Sequence, residues 1–106
     1  MYNDSLFLKI TEILKSLADP TRLKILFYLK DSSKTVKELM QLLGLKQANL
    51  SKHLANLKNV GIVKAKREKN NIYYSSSELP FATICDVICN YIKEKIISEE
   101  RALGIK

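Results

Sequence analysis

Residues 46–63, KQANLSKHLANLKNVGIV, contain the most informative pattern in this chain. Three leucines in this segment recur at the spacing of one face of an α-helix: Leu50, Leu54 and Leu57. Small and polar residues spread over the opposite side, from Gln47 to a predicted end before Gly61. The pattern therefore predicts an amphipathic helix that packs its leucines on a core and leaves its polar side exposed.

A shorter helix directly precedes this one. Thr35 and Glu38 have the Thr-x-x-Glu spacing of a capping box, which opens a helix that runs through Leu42 and stops before Gly44. Only a few residues, Gly44 among them, separate the two helices. Such a short turn is typical of the helix-turn-helix motif, whose second helix enters the major groove of DNA.

Two more helices are predicted before this pair. Apolar residues recur at helical spacing over residues 5–17, which predicts an amphipathic first helix. Asp19 and Pro20 then supply a capping oxygen and a proline in the first turn, so a second helix begins there and ends near Lys30.

A hairpin and a last helix follow. Residues 62–67 and 72–77 have strand-like patterns, and Asn70-Asn71 between them tolerates the left-handed conformations of a tight turn. After Pro80 an apolar stripe at helical spacing predicts a long final helix. The order of elements predicts a mainly α fold with a small β-hairpin, namely a winged helix-turn-helix in the order ααααββα.

The composition fits a single domain over residues 1–106. The chain is 46% apolar and 27% charged, so its core is small and its stability is expected to depend on a partner subunit. No segment approaches the roughly 18 apolar residues of a membrane span, and residues 1–17 lack the unbroken apolar run of a signal peptide. We therefore expect a soluble cytoplasmic protein with free cysteine thiols.

Positive charge is concentrated in residues 46–69. This segment holds seven Lys or Arg and one acid, Glu68, so it contributes +6 to the chain's net charge of +7. Such a cluster can bind nucleic acid or an anionic membrane surface. Alternatively, it is a basic face that contacts only solvent. Small polar residues at 47–52 favour DNA and no membrane partner, because a membrane-binding helix would present large apolar residues there.

The chain shows no pattern of catalytic residues. It contains no Gly-rich phosphate loop, no Ser/His/Asp set with a plausible base and no carboxylate pair in an apolar setting. We therefore expect a binding protein and not an enzyme. The alternative to a DNA-binding regulator is a winged-helix module that binds a protein or RNA without operator recognition.

Three segments, LADPTRLKIL (17–26), KQANLSKHLANLKNVGIV (46–63) and KREKNNIYYS (66–75), occur in the order and at the separations of one known family. Through them residues 17–76 resemble the ArsR/SmtB family of winged helix-turn-helix repressors. The resemblance implies a homodimer that binds double-stranded DNA at a near-palindromic operator and is released by an inducer. Together with surplus apolar residues in 1–17 and 80–100, it predicts that the first and last helices pair across a two-fold axis.

The resemblance also implies which residues contact DNA. The polar first turns of the family's recognition helix correspond here to Gln47, Ala48, Asn49, Ser51 and Lys52. Amides can pair with adenine, a serine hydroxyl with a base or phosphate, an alanine methyl with thymine, and a lysine with phosphate. A histidine is common where His53 lies, for packing or a phosphate contact. The wing adds four candidate contacts to the backbone or minor groove: Lys64, Lys66, Arg67 and Lys69.

Metal sites of the family are not matched in this chain. Residues 35–37, Thr-Val-Lys, stand where heavy-metal sensors carry Cys-x-Cys. Asp86 is followed by Ile88 where zinc sensors have Asp-x-His, and no histidine follows. No cofactor is therefore assigned, and no metal site is predicted at these positions.

Two cysteines remain as a candidate sensing site. Cys85 and Cys89 lie one helical turn apart on the last helix and could bind one thiophilic metal or metalloid, or respond to reactive sulfur or oxidation. Alternatively, they are small apolar residues of the dimer contact.

Overall fold

The computed structural model describes residues 1–104. Within them the chain forms five helices and three strands. In chain order these are α1 (Asp4–Leu17), α2 (Pro20–Leu29), β1 (Lys34–Thr35), α3 (Val36–Leu43), α4 (Gln47–Asn59), β2 (Val63–Glu68), β3 (Asn71–Ser76) and α5 (Phe81–Ala102). Every predicted helix is present, and the arrangement is a winged helix-turn-helix with α3 and α4 as the motif and β2 and β3 as the wing.

The sheet has one strand more than the sequence analysis predicted. The strands pair antiparallel in the order β1-β3-β2, with Lys34 opposite Tyr74 and Thr35 opposite Tyr73. The element order is therefore ααβααββα and not ααααββα. A two-residue strand is too short to show an alternating pattern, and β1 exists because the edge of β3 offers it backbone partners.

The hairpin turn lies one residue earlier than predicted. Glu68 pairs with Asn71, so the two turn residues are Lys69 and Asn70, and Asn71 is the first residue of β3. Lys69 has the left-handed conformation, with φ of 55°. The backbone pairing, which continues to Glu68 and Asn71, overrides the preference of asparagine for that conformation.

The predicted helix caps are confirmed. The Asp19 carboxylate accepts a hydrogen bond from the Arg22 backbone N–H at 3.0 Å. Thr35 and Glu38 form both bonds of the capping box, at 3.2 and 2.9 Å. Gly44 ends α3 in the left-handed conformation, with φ of 66°. The Gly44 cap, whose backbone N–H donates to the Met40 carbonyl at 2.8 Å, begins the short turn between α3 and α4.

The core lies where α2, α3, α4 and the start of β2 meet. Its fully or nearly fully buried side chains are Ile25, Leu26, Leu29, Leu39, Leu50, Leu54, Leu57, Ile62 and Val63. The three leucines of α4 are at most 1% exposed, as their spacing predicts. Burial of this face holds α4 in one rotation about its axis, so its opposite face points outward.

Helices α1 and α5 contribute little to that core. Only Ser16 and Leu17 of α1 and Phe81 of α5 are buried. Between α1, α2 and α5 lies an open apolar groove of about 640 Å³, which includes Leu14, Ile88 and Ile92 in its lining. No helix within residues 1–104 is long and apolar enough to cross a membrane.

Candidate nucleic-acid interface

The exposed face of α4 carries the residues predicted to read DNA. All five predicted side chains of its first turns are exposed, whereas Leu50 between them is fully buried. These five are Gln47, Ala48, Asn49, Ser51 and Lys52. Because the buried leucines fix the rotation of the helix, the five side chains form one surface with a defined orientation. This surface combines amide, hydroxyl, methyl and ammonium groups.

The four basic residues of the wing are exposed but do not form a single face. Lys64 and Lys66 are two positions apart on β2, so they share one side of the strand, and Arg67 points to the other side. Lys69 lies in the turn at the tip of the wing. The Lys66 ammonium lies 3.5 Å from the Glu68 carboxylate, and both side chains are mostly exposed. Such a surface ion pair is weak and does not prevent Lys66 from contacting another anion.

His53 lies on the flank of α4 that faces the start of α2. Its Nδ1 is 3.9 Å from Oδ1 of Asp19, and its side chain is 19% exposed. The backbone N–H of Arg22 is the main reason why the pKa of Asp19 lies below its ordinary value, and the nearby His53 and Arg22 side chains lower it further. His53 therefore borders a polar environment between two helices, beside the predicted DNA-reading surface.

A polar pocket that the sequence did not reveal lies at this place. Arg22 of α2 and four residues of α4 line a pocket of about 280 Å³: Asn49, Lys52, His53 and Asn56. The four positions on α4 have the spacing of one helical face, which could have been noticed. The approach of Arg22 to that face depends on the packing of α2 against α4 and could not be seen in the sequence.

The two cysteines lie on α5 at the edge of the apolar groove. Cys85 is half-buried against the core and Cys89 is exposed, and both are free thiols. Burial raises the pKa of the Cys85 thiol, and the neighbouring Asp86 and Cys89 raise it further. Within residues 1–104, no group of three or more His, Cys, Asp or Glu side chains is placed to hold a metal ion. In one subunit, a soft ion would therefore have two sulfurs to bind.

Known proteins resemble this chain in both sequence and structure. The sequence model of the family described as "Bacterial regulatory protein, arsR family" matches residues 19–65 of this chain. The transcriptional activator HlyU of Vibrio cholerae is 34% identical over 80 residues, which are 76% of this chain and 74% of HlyU. The chain belongs to the ArsR family. As an ArsR-family protein it is a DNA-binding transcription regulator and not an enzyme.

Two further comparisons agree with this assignment. The biofilm growth-associated repressor of Xylella fastidiosa is 31% identical over 80 residues, which are 76% of this chain and 70% of that protein. The structure of HlyU matches with a TM-score of 0.73 at 30% identity, over 84% of this chain and 97% of HlyU.

A further likeness concerns the fold alone. The homodimeric winged helix-turn-helix DNA-binding domain Mb0332 of Mycobacterium bovis matches with a TM-score of 0.72 at 24% identity. The match covers 94% of this chain and 90% of that domain.

Proposed function

We propose that this chain is a homodimeric repressor whose two α4 helices enter successive major grooves of a near-palindromic operator. The observation that carries the proposal is the face of α4 formed by Gln47, Ala48, Asn49, Ser51 and Lys52, exposed above three buried leucines. A rigid helix with small polar side chains on its outer face fits the major groove. Bound at an operator, the dimer would exclude RNA polymerase.

The residue types on α4 support sequence readout. The amides of Gln47 and Asn49 can each form two hydrogen bonds with adenine, and the Ser51 hydroxyl can bond to a base or a phosphate. The Ala48 methyl can contact the thymine methyl group. Lys52, one position further along the helix, provides a positive charge that can bind a phosphate of the DNA backbone. The surface therefore contains both base-reading and phosphate-binding groups.

The basic residues of the wing would make a second set of contacts with the DNA backbone. Lys64 and Lys66 share one face of β2, and Lys69 lies at the tip. Arg67, on the other face, would reach the DNA only from a different side of the wing. We assign Lys64, Lys66 and Lys69 to phosphates or the minor groove, and Arg67 to the edge of that contact.

Apolar residues on α1 and α5 support a dimer through these helices. Side chains that a monomer would leave substantially exposed include Phe7, Leu8, Leu14, Val87, Ile88, Tyr91, Ile92, Ile96 and Ile97. Leu14, Ile88 and Ile92 among them line one apolar groove, and an exposed apolar surface of this kind marks a protein interface. A second copy of the chain is the proposed occupant, which agrees with the homodimeric Mb0332. Pairing of α1 and α5 would set the distance between the two α4 helices.

An inducer that changes this pairing would release the DNA. Cys85 and Cys89 border the groove next to the proposed dimer contact, so a thiophilic metalloid or an oxidant that reached them would act on the contact itself. Cys89 is the more accessible thiol, and the raised pKa of Cys85 keeps that residue protonated. The protein would act in the cytoplasm, where bacterial chromosomal DNA is found.

Selection of DNA fragments from the source genome tests the proposal. The purified protein is mixed with sheared genomic DNA at about 0.15 M salt, and bound fragments are sequenced over several rounds. We expect enrichment of fragments that share a near-palindrome with half-sites about one helical turn apart. Absence of enrichment, or equal affinity for unrelated duplexes and RNA, would instead favour a winged-helix module without operator recognition.

A further inference from the structure

The polar pocket beside α4 contains a guanidinium, that of Arg22, with one buried N–H that has no hydrogen-bond partner among the described residues. The Arg22 side chain is 18% exposed, and its Nε is buried without a hydrogen-bond partner among the described residues. Its Nη2 lies 3.9 Å from Oδ2 of Asp19, which is too far for a hydrogen bond. Because a buried donor that bonds to nothing is costly, Nε of Arg22 favours an acceptor that the described residues do not provide.

The neighbouring groups increase the preference for an anion. Lys52 and His53 of α4 line the same pocket. Asp19, the residue that caps α2, lies 3.9 Å from the Arg22 and His53 side chains. Asn56 accepts a hydrogen bond from the buried Ser16 hydroxyl at 2.5 Å through its Oδ1, so its NH₂ group remains available as a donor. The pocket therefore presents several donors and a positive charge.

We propose that this pocket binds one phosphate of the DNA backbone at the edge of the major groove, with the Arg22 guanidinium as its central donor. The inference rests on the proposed function, because it requires α4 to lie in the groove. Phosphates line both sides of a groove that holds a recognition helix. Asn49 and Lys52 belong to both the base-reading surface and the pocket, so a DNA strand that passes the first turns of α4 also passes the pocket.

The guanidinium would position α4 as well as add affinity. Arg22 belongs to α2. Ile25 and Leu26 of this helix are fully buried, so the backbone that carries Arg22 is held firmly against the core. A phosphate held between Arg22 and Lys52 would therefore fix the depth and register of α4 in the groove. Asp19, whose carboxylate oxygens lie 3.9 Å from Nη2 of Arg22 and from Nδ1 of His53, would keep these two side chains beside each other at the phosphate.

A coupling experiment between protein and DNA tests this contact. Single methylphosphonates, which remove one backbone charge each, are placed along one half-site of the selected operator. Binding is measured for the wild type, Arg22→Met and the control Lys24→Met, which removes a charge from an exposed position of α2. At one or two adjacent positions we expect the methylphosphonate to weaken wild-type binding by about tenfold. At those positions it should weaken Arg22→Met less than about twofold, because the partner is already gone.

A second measurement uses only the wild-type protein, because Arg22→Met could also weaken folding. The Nε–H resonance of Arg22 is followed by NMR as operator duplex, a duplex with the critical methylphosphonate, or inorganic phosphate is added. We expect a large shift with operator and a small one with the modified duplex. A shift with inorganic phosphate alone would assign the pocket to a free anion and overturn the proposal.

The outcomes separate this inference from the proposed function. If the wild type selects no operator, the proposed function fails, and the inference fails with it. If the wild type binds its operator but every methylphosphonate affects Arg22→Met and the wild type equally, only the phosphate pocket is wrong. Unchanged Arg22 resonance on operator binding would lead to the same conclusion.

Discussion

Oδ1 of Asp19, at the N-terminus of α2, lies 3.9 Å from Nδ1 of His53 on α4. The same carboxylate accepts a hydrogen bond from the Arg22 backbone N–H at 3.0 Å and so caps α2. One side chain therefore links the cap of a core helix to the flank of the helix proposed to enter DNA. Substitutions of Asp19 can separate these two roles.

We expect Asp19→Ala to lower the free energy of unfolding by about 1 kcal/mol through loss of the helix cap. Asp19→Asn keeps a side-chain oxygen for the cap and removes only the charge near His53 and Arg22, so its loss should be smaller. Urea denaturation of both variants and the wild type measures the difference. Equal losses for the two variants would show that the charge, and not the cap, carries the effect.

The pKa of Asp19 also predicts a pH dependence. Since folding lowers this pKa below its ordinary value of 3.8, the carboxylate contributes stability above pH 3.8. That contribution is lost as the pH falls from 3.8 through the lower pKa of the folded state. In urea denaturation at successive pH values, the wild type should approach the stability of Asp19→Asn in this acidic range. A constant difference between the two proteins down to pH 2 would contradict the assignment.

Substitutions of residues that read bases and of residues that contact the DNA backbone should differ in their effect on sequence specificity. Gln47→Ala or Ser51→Ala should cost about 1–3 kcal/mol on the selected operator and little on a random duplex. Lys66→Ala should weaken binding to both. If about six phosphates are neutralised per dimer, log affinity should fall against log salt with a slope near −5. Fluorescence anisotropy at several salt concentrations measures both effects, and equal losses of Gln47→Ala on both duplexes would exclude base readout by this residue.

The proposed dimer contact can be tested by a substitution on α5. Ile88 is 54% exposed in the monomer and lines the apolar groove. Ile88→Glu should convert a dimer to a monomer in light scattering at micromolar concentration, because it places a charge in an apolar interface. The matched control is Asn90→Glu, an exposed polar position of the same helix. A monomeric wild type, or a dimeric Ile88→Glu, would contradict the proposed interface.

The cysteines can be tested for sensing. Operator binding by the wild type and by the Cys85→Ser/Cys89→Ser variant is titrated with arsenite, cadmium, zinc, a persulfide and peroxide. We expect a soft metalloid or a sulfur oxidant, but not zinc, to weaken wild-type binding only. An alkylating reagent should label Cys89 before Cys85, because Cys89 is exposed and the pKa of Cys85 is raised. If no reagent weakens wild-type binding, or if both proteins respond alike, the cysteines are packing residues.

Local patterns in the sequence were sufficient to predict the helices and the family. The leucine spacing of α4, the capping box at Thr35 and Glu38, and the glycine at 44 each act over a single turn of chain, so they are visible without a structure. The residue types proposed to read DNA were also evident, since Gln47 to Lys52 lie on one continuous helix. These features depend on periodicity and on short-range hydrogen bonds.

Contacts between distant parts of the chain required the tertiary structure. The strand β1 exists only because β3 lies beside it, and the hairpin pairing places the turn at Lys69 and Asn70. Likewise, Arg22 reaches the flank of α4, more than 25 residues away along the chain, only because α2 and α4 pack on the same core. Such neighbours are set by how helices and strands pack in three dimensions, and no periodicity along one segment records that packing.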